Sequence, residues 1–149
     1  MNPEQALVTS QLTHMRASLE RLHRLAALDD EEFYASPDNA ALANHHLQRA
    51  IQAVLDIGRH LTIRRRLGRT SSYAEIIYRL YEHHLIDPDL GERLVDLAHM
   101  RNRFVHVYWE VSAQEVRQVL RERLEDLEEF IRQIVRFLDK EAPPPDARG

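Results

Sequence analysis

The stretch SAQEVRQVLRERLEDLEEFIRQIVRFLDK, Ser112 to Lys140, decides the fold class. Its apolar residues Val116, Leu120, Leu124, Leu127, Ile131, Ile134 and Leu138 recur at spacings of three and four throughout. That is the period of a helix with one buried face, whereas a half-buried strand would alternate with period two. Ser112-Ala113-Gln114-Glu115 opens the stretch as a capping box, in which the hydroxyl and the carboxylate each satisfy a free amide of the first turn. The spacing predicts one helix over about 112–140, and its apolar stripe requires other helices to pack against.

Those helices lie toward the N-terminus. Val8, Leu12, Met15, Leu19, Leu22 and Leu25 form a stripe that predicts a first helix from about Pro3 to Leu28. Asp29-Asp30-Glu31-Glu32 reads as a solvated turn, with Asp30 capping a short turn through Tyr34. Leu47, Ala50, Ile51, Val54, Ile57, Gly58 and Leu61 predict a second long helix from about Asn39 to Ile63. Gly58 inside it costs roughly 1 kcal/mol against Ala, so it marks a close helix approach or nothing at all. Ser72-Tyr73-Ala74-Glu75 is a second capping box and starts a short helix to about His84. Asp87-Pro88 supplies an N-cap followed by proline at the first helical position. A helix from about Pro88 to Val107 follows, with Leu90, Leu94, Leu97 and Met100 inward. No stretch reads as a strand. The expected fold is all-α: an up-and-down antiparallel four-helix bundle plus a short helix. Residues 1–141 form one helical domain, and the proline-rich 142–149 is expected to be a disordered tail.

Composition narrows the function. The chain has 149 residues, enough for one domain with its own core. It has no cysteine, which excludes disulfides, thiolate zinc sites and thiol catalysis. No apolar run reaches the length of a membrane span, and Met1-Asn2-Pro3-Glu4-Gln5 lacks the order of a secretory signal. A soluble cytoplasmic protein is expected. The net charge of −4 argues against a general nucleic-acid coat. The charge is uneven, however: Arg59, Arg64, Arg65, Arg66 and Arg69 fall in one short stretch. Such a patch steers a polyanion to one face despite a negative total.

The run RNRFVHVYW, Arg101 to Trp109, carries the candidate chemistry. Arginine followed five positions later by histidine is weak evidence alone, since Arg79 and His84 have the same spacing. Context separates them. Asn102 and His106 lie one helical turn apart on one face, where an amide can bond a ring nitrogen and fix the tautomer. Arg101 and Tyr108, seven apart, share another face. Arg101 and His106 diverge by about 140° and border a cleft, which a second copy of the helix would complete more easily.

The run resembles the Arg-Asn-x-x-x-His-x-Tyr signature of HepT-type proteins, a branch of the HEPN superfamily. AIQAVLDIGRHL (Ala50 to Leu61) is similar to that family's second main helix. SSYAEIIYRLYEHHLIDPDLGERLVDLAHMRNRFVHVYW (Ser71 to Trp109) is similar to its core block. The resemblance implies a helical bundle that forms a homodimer, with the two signatures meeting across the interface. It implies a metal-independent endoribonuclease acting as the toxin of a toxin–antitoxin pair. The implied antitoxin is an MntA-type nucleotidyltransferase, which attaches AMP to the motif tyrosine, here Tyr108.

RNA cleavage without metal uses the 2′-hydroxyl as internal nucleophile and leaves a 2′,3′-cyclic phosphate. His106 suits the proton transfers. Arg101 suits the phosphate, because its planar fork donates to two oxygens and stays charged. Asn102 would orient the imidazole or donate to a phosphate oxygen. Asp56, among apolar neighbours on the second long helix, is a candidate acid aimed at Arg101 or His106; otherwise it is a surface residue. Arg64, Arg65, Arg66 and Arg69 are candidate RNA-backbone contacts, or else a solvated loop, or a cluster pairing with the acidic ends of a partner. His45-His46 and His83-His84 lack the i,i+4 spacing that chelates, so no metal site and no cofactor is expected. A plainer reading stands beside this. Arg101 then answers the helix dipole, His106 is partly buried with an ordinary hydrogen bond, and Tyr108 and Trp109 are core or interface aromatics. Trp109 is expected to be structural in either case. The alternative function is a non-catalytic module, binding a nucleotide or substrate for the nucleotidyltransferase.

Overall fold

A computed structural model describes residues 2–141. The tail expected at 142–149 lies outside the described residues. Within them the chain is all-helical: α1 (Pro3–Ala26), α2 (Asp30–Ala35), α3 (Pro37–Arg64), α4 (Tyr73–Glu82), α5 (Pro88–His106), a 3-10 turn (Tyr108–Glu110), α6 (Ala113–Glu122) and α7 (Leu124–Glu141). The rods of the bundle are α1, α3, α5 and the jointed pair α6–α7, with α2 and α4 as short additions. No helix among the described residues is long and apolar enough to cross a membrane.

α3 is the axis, touching every other α-helix. It buries Ala43, Leu47, Ala50, Ile51, Ala53, Val54, Leu55, Ile57 and Leu61, a stripe too wide for a helix with one packed side. Gly58 explains how α4 fits against it. A Cβ at this position would lie 2.6 Å from Ile76 Cγ2 and 3.3 Å from Leu80 Cδ1. Of the two readings of Gly58, close approach is therefore the one that holds. Gly91 does the same for α5 and α4, since a Cβ there would lie 2.1 Å from the Tyr81 ring.

Several element ends differ from expectation, α4 stopping at Glu82 and α5 at His106 among them, and three have a clear local reason. The short helix is capped by Asp29, not Asp30: Glu32 N donates to Asp29 Oδ1 at 2.8 Å, and the Glu32 carboxylate accepts from Asp29 N. Asp30 is engaged elsewhere, accepting from Arg117 and Arg121. α3 begins two residues early, because Ser36 caps it and Pro37 takes the first helical position. α1 ends at Ala26 rather than Leu28. The carbonyls of Leu25 and Leu28 are taken by Arg117, which is 3% exposed and lies 4.9 Å over the Phe33 ring. A buried guanidinium thus satisfies the Leu28 carbonyl after α1 and adds a second donor to that of Leu25, which also accepts from Leu28 N at 3.3 Å.

The helix that decides the fold class is also broken. Arg123 leaves helical geometry (φ −118, ψ −7), which separates α6 from α7. Its guanidinium donates to Asp126 at 2.9 Å, to Asp96 of α5 at 2.7 Å and to the Arg93 carbonyl at 2.9 Å. Arg93 in turn donates to Asp126 at 2.8 Å. This network bolts the joint to α5. The apolar stripe runs through it undisturbed, with Leu120, Leu124 and Leu127 all buried, so the hydrophobic period carries no trace of the break.

Candidate active site at the end of α5

Phe104 is fully buried and sets the rotation of α5. His106, two positions on, is turned about 200° from it and faces solvent. It is the last residue of the helix. Among the described residues it has no hydrogen-bond partner, so the expected bond from Asn102 is not made. Asn102 Oδ1 instead accepts from Arg101 Nη1 at 3.3 Å. The amide of the motif therefore aims the arginine rather than the imidazole.

Arg101 is half-buried. Its Nε is enclosed without a partner, and no carboxylate pairs with it among the described residues. Its guanidinium lies 5.7 Å from the centroid of the Tyr73 ring. Two pockets flank it. One, of about 450 Å³ between α1 and α3, is lined by Arg101 with His14, His45, Arg49, Gln52 and Asp56. Asp56 accepts from Gln52 Nε2 at 2.8 Å and shares the pocket with Arg101 without forming an ion pair. The other, of about 350 Å³, is lined by Arg59, Thr70, Ser71, Ser72, Tyr73 and Asn102. The matching pair Arg79 and His84 differs in charge state of its surroundings: Arg79 is bonded to Glu82 at 3.0 Å, and His84 sits in a left-handed turn (φ 64). Arg101 keeps its charge unanswered, whereas Arg79 does not.

Tyr108 does not lie on the helical lattice of Arg101. The helix stops at His106, Val107 takes φ −131 and ψ 43, and Tyr108 begins a 3-10 turn. The seven-residue spacing therefore says nothing about the distance between them. Tyr108 and Trp109 are 65% and 68% exposed and meet edge to face, ring centroids 5.4 Å apart. Neither is a core aromatic of this chain, so the structural role expected of Trp109 is that of an interface aromatic. The turn is held from the far side. Ser112 caps α6 through Glu115 N at 3.1 Å, but the Glu115 carboxylate does not close the capping box. It pairs with Arg103 of α5 instead, and that hydrogen bond holds its carboxyl below the ordinary 4.5.

The basic connection divides. Arg64, Arg66 and Arg69 are exposed, with no carboxylate partner among the described residues. Arg65 is removed from the patch: it donates to Glu4 at 2.7 Å and to Glu141 at 2.5 Å, and stacks 4.7 Å over Phe137. It clasps the first and last long helices together at one end of the bundle, because Glu4 opens α1 and Glu141 closes α7. Among the described residues no group of three histidine, aspartate or glutamate side chains converges as a metal site requires. Sequence reasoning assigned no role to Tyr73, which it read only as the start of a helix. It counted Arg59 in the basic stretch without placing it. The available signal was the three-residue spacing of Asp56 and Arg59, which puts both on one face of α3.

A family model described as ribonuclease HepT-like matches residues 15–134 of this chain. A tRNA nuclease HepT from Aphanizomenon flos-aquae is 22% identical over 137 residues, 92% of this chain and 93% of that protein. An mRNA nuclease HepT from Shewanella oneidensis is 34% identical over 86 residues, 58% of this chain and 65% of that protein. Among solved structures, a tri-AMPylated HEPN toxin of Shewanella oneidensis in complex with an MNT antitoxin matches with a TM-score of 0.81 at 26% identity. That match covers 91% of this chain and 99% of the other.

Proposed function

The chain belongs to the HepT-like ribonuclease family, and from that premise we propose that it is a metal-independent endoribonuclease, the toxin of a toxin–antitoxin pair, acting on tRNA or mRNA. One observation supports this above the others. Arg101 keeps a guanidinium without a carboxylate at a pocketed wall, and an exposed histidine ends the same helix roughly 7.5 Å further along its axis. The arginine holds the scissile phosphate and offsets charge as it builds on the phosphorane. His106 takes the proton of the 2′-hydroxyl, whose oxygen attacks phosphorus. The 5′-oxygen leaves with a proton from a second acid, giving a 2′,3′-cyclic phosphate and a 5′-hydroxyl. One imidazole serves one of these roles at a time, so a homodimer with two His106 side chains supplies both.

Asn102 supports Arg101, and Asp56 lines the wall beside it. Arg64, Arg66 and Arg69 contact the RNA backbone, with Arg65 left to the fold. The partner is an MntA-type nucleotidyltransferase antitoxin that adds AMP to Tyr108. The exposure of Tyr108 suits a modifying enzyme, and the added phosphate sets bulk and negative charge two residues from His106.

The test is cleavage of total tRNA and of an mRNA transcript by the purified protein in EDTA. Fragments with cyclic phosphate ends are expected, and His106→Ala should lower the rate on the order of 10²-fold or more. Unchanged cleavage by His106→Ala would sink the mechanism. A second reading is a binding module for the nucleotidyltransferase, since Arg101 alone suffices to hold a nucleotide phosphate. Growth arrest on expression, absent from the His106→Ala variant, decides for the nuclease.

A further inference from the structure

The pocket between α3, α4 and α5 has no part in the chemistry above, yet its wall is built of donors. Arg59 is exposed, and among the described residues no carboxylate pairs with it. Its guanidinium lies 6.0 Å from the centroid of the Tyr73 ring, the same ring over which Arg101 lies at 5.7 Å. One tyrosine therefore holds two arginines from two different helices. Like charges drawn to one ring with no anion between them repel, and an arrangement of this kind fits a ligand with more than one negative group.

The rest of the wall agrees. Asn102 Oδ1 is occupied by Arg101, so the two hydrogens of its Nδ2 remain to be donated. Thr70 and Ser72 add hydroxyls. Glu75, in the first turn of α4, accepts from the amide and the hydroxyl of Ser71, both at 2.9 Å. Its carboxylate is thus engaged by Ser71 and forms no ion pair with either arginine among the described residues. RNA presents a phosphate at every nucleotide, so a strand with one phosphate on Arg101 must carry the next one to a neighbouring wall.

We propose that this pocket is the subsite for the nucleotide adjoining the scissile phosphate, with Arg59 as its phosphate ligand and Tyr73 as the positioning residue that sets Arg59 and Arg101 side by side. The inference rests on the ribonuclease reading and adds to it a second, separately placed phosphate contact. Arg59 touches substrate without touching the reacting atoms. Its loss therefore weakens binding and leaves the chemical step in place.

The experiment uses the full chain carrying His106→Ala, so that RNA is bound and not cut, and a fluorescein-labelled single-stranded RNA. Affinity is measured across a range of KCl concentrations. Arg59→Gln should lower the slope of log K against log salt by about one contact. In the cleaving protein the same substitution should raise KM on the order of tenfold with kcat little changed. Tyr73→Leu should reproduce the loss of slope and the rise in KM and, because Arg101 shares the ring, lower kcat as well; Tyr73→Phe, which keeps the ring, should restore all three. An unchanged slope and KM in Arg59→Gln, with both lost in Arg101→Gln, overturns the subsite and leaves the ribonuclease reading standing. A tyrosine series in which Phe behaves like Leu overturns the positioning role. If the parent protein neither cuts nor binds RNA, the ribonuclease reading fails and the subsite with it.

Discussion

Arg103, one turn before the end of α5, donates two hydrogen bonds to the carboxylate of Glu115 in the first turn of α6. The pair spans the segment that holds His106, Tyr108 and Trp109. Glu115→Ala should loosen this segment while leaving the bundle intact. Amide protection at 107–111 should fall, with little change in the melting temperature. The Glu115 carboxyl titrates below its ordinary 4.5, chiefly because Arg103 hydrogen-bonds it. A depressed acid contributes fully above the unfolded value and loses its contribution as pH falls through the folded one. Protection at 107–111 should therefore hold at neutral pH and decline below about 4.5.

Gly58→Ala sets two effects against each other. Helix propensity favours alanine by about 1 kcal/mol. Overpacking against Ile76 and Leu80 opposes it, typically by 1–3 kcal/mol, roughly. Ile76 Cγ2 is attached at a branched carbon on a helix and cannot swing away, so overpacking should win. Urea unfolding of Gly58→Ala should give a lower midpoint than the parent, and a higher one would show that α4 shifts at no cost.

His46 is buried on α3, its Nδ1 unpartnered, with His45, Arg21 and Arg49 around it. Burial above all, then the neighbouring positive charges, pushes its pKa below 6.5. The unfolded chain then binds the proton more readily than the folded one. Stability from neutral His46 is complete above about pH 6.5 and is lost as pH falls toward the folded value. His46→Gln should flatten the melting temperature between pH 7 and pH 5, roughly, relative to the parent. Parallel curves for the two proteins would remove His46 as the cause.

Arg117→Ala should destabilise by roughly 1–3 kcal/mol, since it strands the half-buried Leu28 carbonyl and leaves the Leu25 carbonyl with the Leu28 amide at 3.3 Å. Arg117→Lys should recover little, because one ammonium cannot reach both carbonyls and Asp30 at once. Thermal melts of the two variants decide this.

Tyr108→Phe should leave cleavage within a few-fold, roughly, of the parent, since the hydroxyl has no part in the proton transfers. The same variant should escape AMP addition and silencing. Intact mass after co-expression with the nucleotidyltransferase reads the first, and growth reads the second. A silenced, AMP-modified Tyr108→Phe would move the modification to another residue.

Long-period features were legible in the sequence. The stripes of α1, α3 and α5, and the caps at Ser72, Asp87 and Ser112, follow from spacing and side-chain chemistry within one element. What escaped involves partners far apart in the chain. Arg117 reads as a solvated helix arginine until Leu25, Leu28 and Asp30 are brought to it. The break at Arg123 needs Asp96, and the loss of Arg65 from the basic patch needs Glu4 and Glu141. At the site, the chemistry-bearing residues could be named from the run around Arg101. The direction each one faces could not, because His106 ends the helix on which its geometry was reasoned. Tyr73 was out of reach for the same cause, since only tertiary packing puts α4 beneath two arginines.

That packing gives Gly58 a reach beyond stability. Ile76, whose methyl blocks position 58, stands one turn after Tyr73 on the same short helix. A side chain at 58 acts as a wedge driven under α4, and the helix can yield only by tilting. The tilt carries the tyrosine ring with it and changes the aim of Arg59 and Arg101 together. Position 58 is in this sense an adjustment screw for a charge pair, acting through the tyrosine ring and not through either guanidinium. Graded substitutions there would retune substrate grip with every residue that meets the RNA left in place.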